Sequence, residues 1–186
     1  MNSALSAPEI NTKRLTLDAL KPSDAGTFFG YRSDPNITRY QTWAPASLED
    51  ASRFIGDLKG VGFDTPGTWF QFAIRMRESR QLIGDLGMRF PEGDTRQVEI
   101  GYTIAPDHQR QGYGTEAVEG ALRYLLGSLG KHRVFASVDP RNEGSIAVLR
   151  RVGMRQEAHF RESLWIKGEW VDDMVFGILE SEWSGR

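Results

Sequence analysis

The chain contains no cysteine in 186 residues. That excludes a disulfide framework, thiolate metal ligation and a covalent thiol nucleophile. Its three histidines, His108, His132 and His159, lie far apart without ligand spacing, so no zinc or other metal site is expected. A basic excess is missing as well. There are 23 Lys and Arg against 25 Asp and Glu, for a formal net charge of −2. Nonspecific nucleic-acid binding needs a basic footprint, so no nucleic-acid partner is expected. No run of 18 apolar residues occurs, and residues 1–8 lack the long apolar stretch of a secretory signal. No membrane association is therefore expected, and a cytoplasmic location follows by default.

What is present suffices for one domain. Apolar residues make up 39% of the chain, enough for a full core at this length. Residues 1–11 read as a loose tail and residues 12–182 as a single domain. Leu15, Leu17 and Ala19 alternate with Thr16 and Asp18, the period of a half-buried strand. Pro22-Ser23-Asp24 opens a helix toward Tyr31, and Ser33-Asp34-Pro35 breaks it. Ser47, followed three residues later by Asp50, resembles a capping box and predicts a second helix to about Leu58. Strands are predicted over 70–76, 82–90 and 98–104. Ala117, Val118, Ala121, Leu122 and Leu125 share one helical face. A strand over 133–138 precedes a helix carrying Ile146, Leu149 and Val152, closed by Gly153. Residues 163–166 and 171–179 flank Lys167-Gly168 as a hairpin. The order βααβββαβαββ predicts an α/β (α+β) fold with a mixed, mostly antiparallel sheet flanked by helices.

The most informative segment is Gln109-Arg110-Gln111-Gly112-Tyr113-Gly114-Thr115. Two glycines one residue apart, just before a helix start, leave backbone N–H groups uncovered. With the helix dipole behind them they suit a pyrophosphate. A dinucleotide fold requires its glycines after the first strand and an acidic residue about twenty positions on. Here several strands come first, and Lys131-His132-Arg133 is basic. A P-loop fails because His132 follows Gly130-Lys131 and Leu125 stands where the first glycine belongs. The spacing alone leaves open a glycine turn that merely starts a helix.

The stretch from Glu99-Ile100-Gly101-Tyr102 through Gly112-Tyr113-Gly114 to Ala117 resembles the cofactor motif of the GNAT N-acetyltransferase superfamily. Its Q/R-x-x-G-x-G/A pattern is matched at Gln109, Gly112 and Gly114. Asp139-Pro140-Arg141-Asn142-Glu143-Gly144-Ser145 and Val152-Gly153-Met154 are similar to its N-x-x-S…G-F segment. Arg14-Leu15-Thr16-Leu17, Ser33-Asp34-Pro35 and residues 167–173 fit the RimJ/RimL-type branch. This resemblance implies a GNAT-like sheet and acetyl-CoA as co-substrate. It implies cofactor contacts from Tyr102, Ile104, Gln109, Arg110, Gln111, Gly112, Tyr113, Gly114, Thr115 and Asn142. The acceptor is then a primary amine, on a small molecule or a protein N-terminus, acetylated directly in a ternary complex. A homodimer is left open. The alternative is a noncatalytic acyl-CoA-binding module.

Acyl transfer to an amine needs a neutral nucleophile, hence a base. Glu99 is the candidate, on the strand before the loop; pairing with Arg89 or Arg96 is its structural alternative. Glu162 is a second candidate, with a solvated charge as its alternative. Ser145 is the candidate proton donor to the departing thiolate, because Leu149 occupies the position where many members of the superfamily carry a tyrosine. Asn142 also reads as a simple helix cap. Tyr40, Trp43 and Trp165, with Trp69 and Phe70, are candidates for an acceptor pocket, although aromatics more often fill the core.

Overall fold

The computed structural model describes residues 7–183. Strand β2 (Leu15–Ala19) forms where apolar and polar residues alternate. Strand β1 (Ile10–Asn11) pairs with it antiparallel, Ile10 opposite Leu17. Pairing thus begins inside the segment expected to be a loose tail, because Ile10 is an apolar anchor only 7% exposed.

A turn at Pro22–Asp24 leads into α1 (Ala25–Arg32). Asp34 then caps the short α2 (Pro35–Thr38), accepting from Asn36 N–H at 2.8 Å. Ser47 caps α3 (Leu48–Asp57), accepting from Asp50 N–H at 3.2 Å as the capping pattern predicts. Three long antiparallel strands follow: β3 (Thr68–Met76), β4 (Leu82–Phe90) and β5 (Gln97–Ile104). Helix α4 (Tyr113–Leu122) continues as a wider π-helical turn over Arg123–Ser128. Strand β6 (Arg133–Val138), α5 (Glu143–Arg151), β7 (Arg155–Ile166), β8 (Glu169–Leu179) and α6 (Glu180–Trp183) complete the described residues.

The eight strands of the described residues form one sheet in the order β1-β2-β3-β4-β5-β6-β8-β7. Every pairing is antiparallel except β5 with β6. The mixed, mostly antiparallel sheet is the one predicted. Strand β7 begins eight residues before the predicted hairpin arm. It is an edge strand, largely exposed, and its register shifts between Gln156 and Ala158 and between Phe160 and Leu164. Those irregularities break the period of two on which a sequence reading depends.

Helices cover both faces. On one, α4 and α5 bring Ala117, Val118, Ala121, Leu122, Ile146 and Leu149 against Phe72, Ile74, Leu86 and Phe176. On the other, Phe28 and Tyr31 of α1 and Ala51 and Ile55 of α3 pack on Ala73 and Leu82. Adjacent residues of β3 therefore serve opposite layers, as strand alternation requires.

One irregularity creates the site. Parallel pairing of β5 with β6 runs only from Gln97–Arg133 to Glu99–Phe135. Beyond it β5 continues to Ile104, held on its other edge by β4 up to the Ile104–Gly84 pair. The strands part, and the carboxyl end of β5 turns an unpaired backbone edge toward the gap.

Candidate active site

Two connected cavities fill that gap, of about 450 and 440 Å³. They share Tyr102 and Thr103 from β5, Asn142 and Ser145 from the start of α5, and Tyr40 and Gln41 from the segment after α2.

The second cavity is lined by Ile104, Gln109, Arg110, Gly112, Gly114, Thr115, Gly144, Val148 and Arg151. Its loop bends through two left-handed residues, Arg110 at φ 60° and Gly112 at φ 81°. Gly112 is the N-cap of α4, so the uncovered N–H groups of that helix start at the cavity wall. At Gly114 an added Cβ would sit 3.6 Å from both Ile104 and Val148, in ordinary contact. That spacing has room for alanine, which explains the G/A choice of the motif. Gln109 Nε2 donates to Ile104 O at 3.0 Å and ties the loop to the strand end.

The loop is braced from outside. Arg14 Nη1 donates to Gln111 O at 3.1 Å, and its guanidinium lies 4.4 Å from the Tyr113 ring centroid. Glu116, in the first turn of α4, accepts from Arg14 N–H and Nε, each at 2.6 Å, and from Thr12 Oγ1 at 2.7 Å. Burial pushes the Glu116 carboxyl up, but these bonds and the nearby charge outweigh it and hold the group below its ordinary range. Gln111 and Tyr113 do not line the cavity: the Gln111 carbonyl and the Tyr113 ring serve this brace, and Gln111 Nε2 donates to Asp107 O at 3.0 Å. The donor set at the cavity itself, helix N–H groups with Arg110 and Arg151, fits a pyrophosphate.

At the junction, Tyr102 and Ser145 hydroxyls lie 2.9 Å apart, and Tyr102 donates to Ser145 O at 3.1 Å. Ser145 Oγ–H is then free to donate to Tyr102. Burial pushes the Tyr102 hydroxyl well above its ordinary pKa, against a smaller opposite effect of the Ser145 bond. Tyr102 thus keeps its proton beside Ser145, a pairing no local sequence signal shows. Asn142 is the N-cap of α5, accepting from Ser145 N–H at 3.1 Å, and it also lines both cavities.

The first cavity is lined by Trp43, Phe54, Trp69, Leu164, Ile166 and Val171, with Glu99, Asp139, Asp172, Asp173 and Arg32. Glu99 does pair with its cross-strand neighbour Arg89, at 3.1 Å. Glu162 adopts φ 45°, donates its N–H to Asp172 and lines neither cavity. Trp165 is displaced from its expected role. Leu164 and Ile166 face the cavity, so alternation turns Trp165 to the other side, where it packs edge-on against Trp170 and is 60% exposed. Phe70 belongs to the core at 6% exposure.

The cavity floor rests on a network the sequence does not reveal. Asp85, fully buried, accepts from Tyr31 Oη at 2.9 Å, from Arg32 Nε and Nη2 at 3.0 and 2.6 Å, and from Gln71. Arg32 also donates to Gln41 Oε1, and Gln41 Nε2 donates to Thr103 Oγ1 at 2.7 Å. These residues lie on α1, β3, β4, β5 and the loop after α2. Among the described residues no cluster of His, Asp and Glu is placed to hold a metal, and no helix is long and apolar enough to cross a membrane.

The description "Acetyltransferase (GNAT) domain" matches residues 14–155. The chain is 31% identical over 175 residues to the Bacillus subtilis (strain 168) protein named uncharacterized N-acetyltransferase YnaD, covering 94% of this chain and 99% of that one. It is 25% identical to [Ribosomal protein uS5]-alanine N-acetyltransferase of Escherichia coli (strain K12), over 94% and 92% of the two chains. The crystal structure of a GNAT-family acetyltransferase from Bacillus anthracis superposes with a TM-score of 0.86 at 26% identity, over 94% of this chain and 100% of that one. The parted strands, the glycine-started helix and these likenesses agree: the chain belongs to the GNAT acetyltransferase family, in its RimJ/RimL-type branch, and is an acyltransferase.

Proposed function

We propose that this protein moves an acetyl group from acetyl-CoA to a primary amine, on a small molecule or a protein N-terminus, by direct transfer in a ternary complex. The observation that carries this reading is the junction of the two cavities at Tyr102, Asn142 and Ser145. It would bring a cofactor on one side and an acceptor on the other to the same unpaired edge of β5.

Acetyl-CoA supplies an activated acyl group. The chain's own residues would do the rest. The start of α4, Arg110 and Arg151 hold phosphates. Unpaired N–H groups of β5 beyond Glu99 are suited to stabilise a developing oxyanion. Glu99 takes the amine's proton, directly or through water. Ser145 turns its hydroxyl proton from Tyr102 to the leaving sulfur and regains one from water. No residue is needed as a covalent carrier, which suits a chain without cysteine.

The test is release of free thiol from acetyl-CoA with a panel of primary amines, together with the mass of the enzyme incubated with acetyl-CoA alone. Amine-dependent thiol release with an unchanged enzyme mass is expected. An acetyl adduct on the protein that a later amine removes would replace direct transfer by a two-step mechanism.

A further inference from the structure

Resting on that acetyltransferase reading, we infer that the acceptor is a small primary amine on a flat apolar body that enters with a single positive charge: Asp173 draws in the ammonium, which gives its proton to Glu99, directly or through water, before attacking as the free amine, while its body lies between Trp43 and Trp69.

The charges around the first cavity carry the first half of this inference. Arg32 is spent on Asp85. Glu99 is paired with Arg89, and Asp139 with Arg141 at 2.6 Å. Asp172 accepts from Glu162 N–H at 2.9 Å and meets His159 Nε2 at 2.8 Å. Asp173 differs. It is 9% exposed and accepts from the Ser137 hydroxyl at 2.6 Å, and no cationic side chain pairs with it among the described residues. An enclosed carboxylate is stabilised by a matching cation. The cavity therefore offers one uncompensated, nearly buried negative charge, the complement of one ammonium. Of the other three carboxylates, Glu99 and Asp139 are paired with arginines, and the less buried Asp172 is held by a backbone N–H and by His159, which balances its charge only when protonated.

The apolar walls carry the second half. Three of the large apolar side chains left exposed line this one cavity: Trp43 at 40%, Trp69 at 44% and Leu164 at 37%. Both indoles are held in place. Trp43 stacks on Phe54 with centroids 4.8 Å apart, and Phe54 stacks on Phe28 at 5.5 Å. Trp69 lies across Gly87, where an added Cβ would be 3.1 Å from the ring. Fixed aromatic faces left wet inside a cavity of ligand size are surfaces a ligand covers.

The test uses the full chain and three acceptors: phenethylamine, spermidine and a short peptide with a free alanine N-terminus. Acetyl-CoA turnover should favour phenethylamine in kcat/KM by tenfold or more over the other two. Asp173→Asn should raise the amine KM at least tenfold for both phenethylamine and n-butylamine, leaving the acetyl-CoA KM within twofold. Trp69→Leu should raise the amine KM for phenethylamine alone, a split that a general loss of structure does not produce. Calorimetric binding of phenethylamine to the CoA-bound protein repeats the test without turnover. Preference for spermidine or the peptide, or phenethylamine binding that is absent or unaffected by Asp173→Asn, overturns the inference. Acetyl-CoA that neither binds nor turns over overturns the acetyltransferase reading instead.

Discussion

Arg14 Nε and Glu116 Oε2 meet at 2.6 Å across 102 residues of chain, and the contact fastens the residue that leads into β2 to the first turn of α4. A bare carboxylate there would repel the phosphates that the helix start attracts. Arg14 neutralises it and props the loop through Gln111 O. Arg14→Ala should weaken acetyl-CoA binding about tenfold, or ~1.4 kcal/mol. Glu116→Gln, which removes the charge, should cost less. Calorimetry on both variants checks the order; equal affinity in wild type and Arg14→Ala would show that the loop needs no brace.

The two glycines of the loop should respond differently. Gly112 sits at φ 81°, where an L side chain is strained by about 1–2 kcal/mol. Gly112→Ala should lower both acetyl-CoA affinity and Tm, and a bulky Gly112→Trp should block binding. Gly114→Ala meets only ordinary contacts and should leave both nearly unchanged. Gln111→Ala should also matter little, because its carbonyl and N–H remain.

Base and donor separate by pH. Glu99→Gln should lower kcat more than acetyl-CoA affinity, and the loss should shrink as pH approaches the amine's own pKa, roughly 10 for an alkylamine. A pH-independent loss would reassign Glu99 to binding. Ser145→Ala and Tyr102→Phe should each lower kcat modestly, and the double variant should lose less than the product of the two, since they form one hydrogen-bonded unit. Wild-type kcat in both single variants would leave proton return to water.

Trp43 has one face on Phe54 and 40% of its surface exposed. Trp43→Ala should therefore raise the amine KM, leave that for acetyl-CoA unchanged, and destabilise by less than the roughly 3–5 kcal/mol of a fully buried aromatic. A large drop in Tm with an unchanged amine KM would make it a core residue only.

Acid stability should depend on Arg75, which is buried between Asp18 at 2.7 Å and Asp24 at 2.6 Å. Burial pushes the Asp24 carboxyl up, but Arg75 and the Lys21 N–H hold it, on balance, below its ordinary value of 3.8. A depressed folded-state pKa adds stability above the unfolded value, lost as pH falls through the folded one. Stability should thus decline below about pH 4. Asp24→Asn should flatten that decline and lower stability at pH 7; a denaturation profile with the same acid limb as wild type would exclude Asp24 as its source.

Much of the chain was legible before folding because its signals are local. The alternation of Leu15, Leu17 and Ala19, the Ser47 cap and the glycines at 112 and 114 each act within a few residues. Strand β6 follows its predicted bounds, and α5 begins at the Asn142 cap. The edge strand β7 was not legible beyond its last turn, since a polar, bulged strand has no period to read. Trp165 illustrates the same limit on a finer scale. Its presence in a strand was visible, but which face it occupies depends on the register with β8.

The sequence by itself determined most of the elements, the family motif and the place where a phosphate-bearing cofactor is expected, because backbone conformation and helix capping are set by near neighbours. Only the tertiary structure decided which charges are spent and which remain. Arg89 reaches Glu99 through strand register, Arg32 of α1 reaches Asp85 of β4 through the packing of helix on sheet, and Arg14 reaches Glu116 where α4 meets the start of β2. Among the described residues Asp173 is left without a cationic partner, because electrostatic compensation is a matter of distance in space, and the folded packing of strands and helices sets that distance.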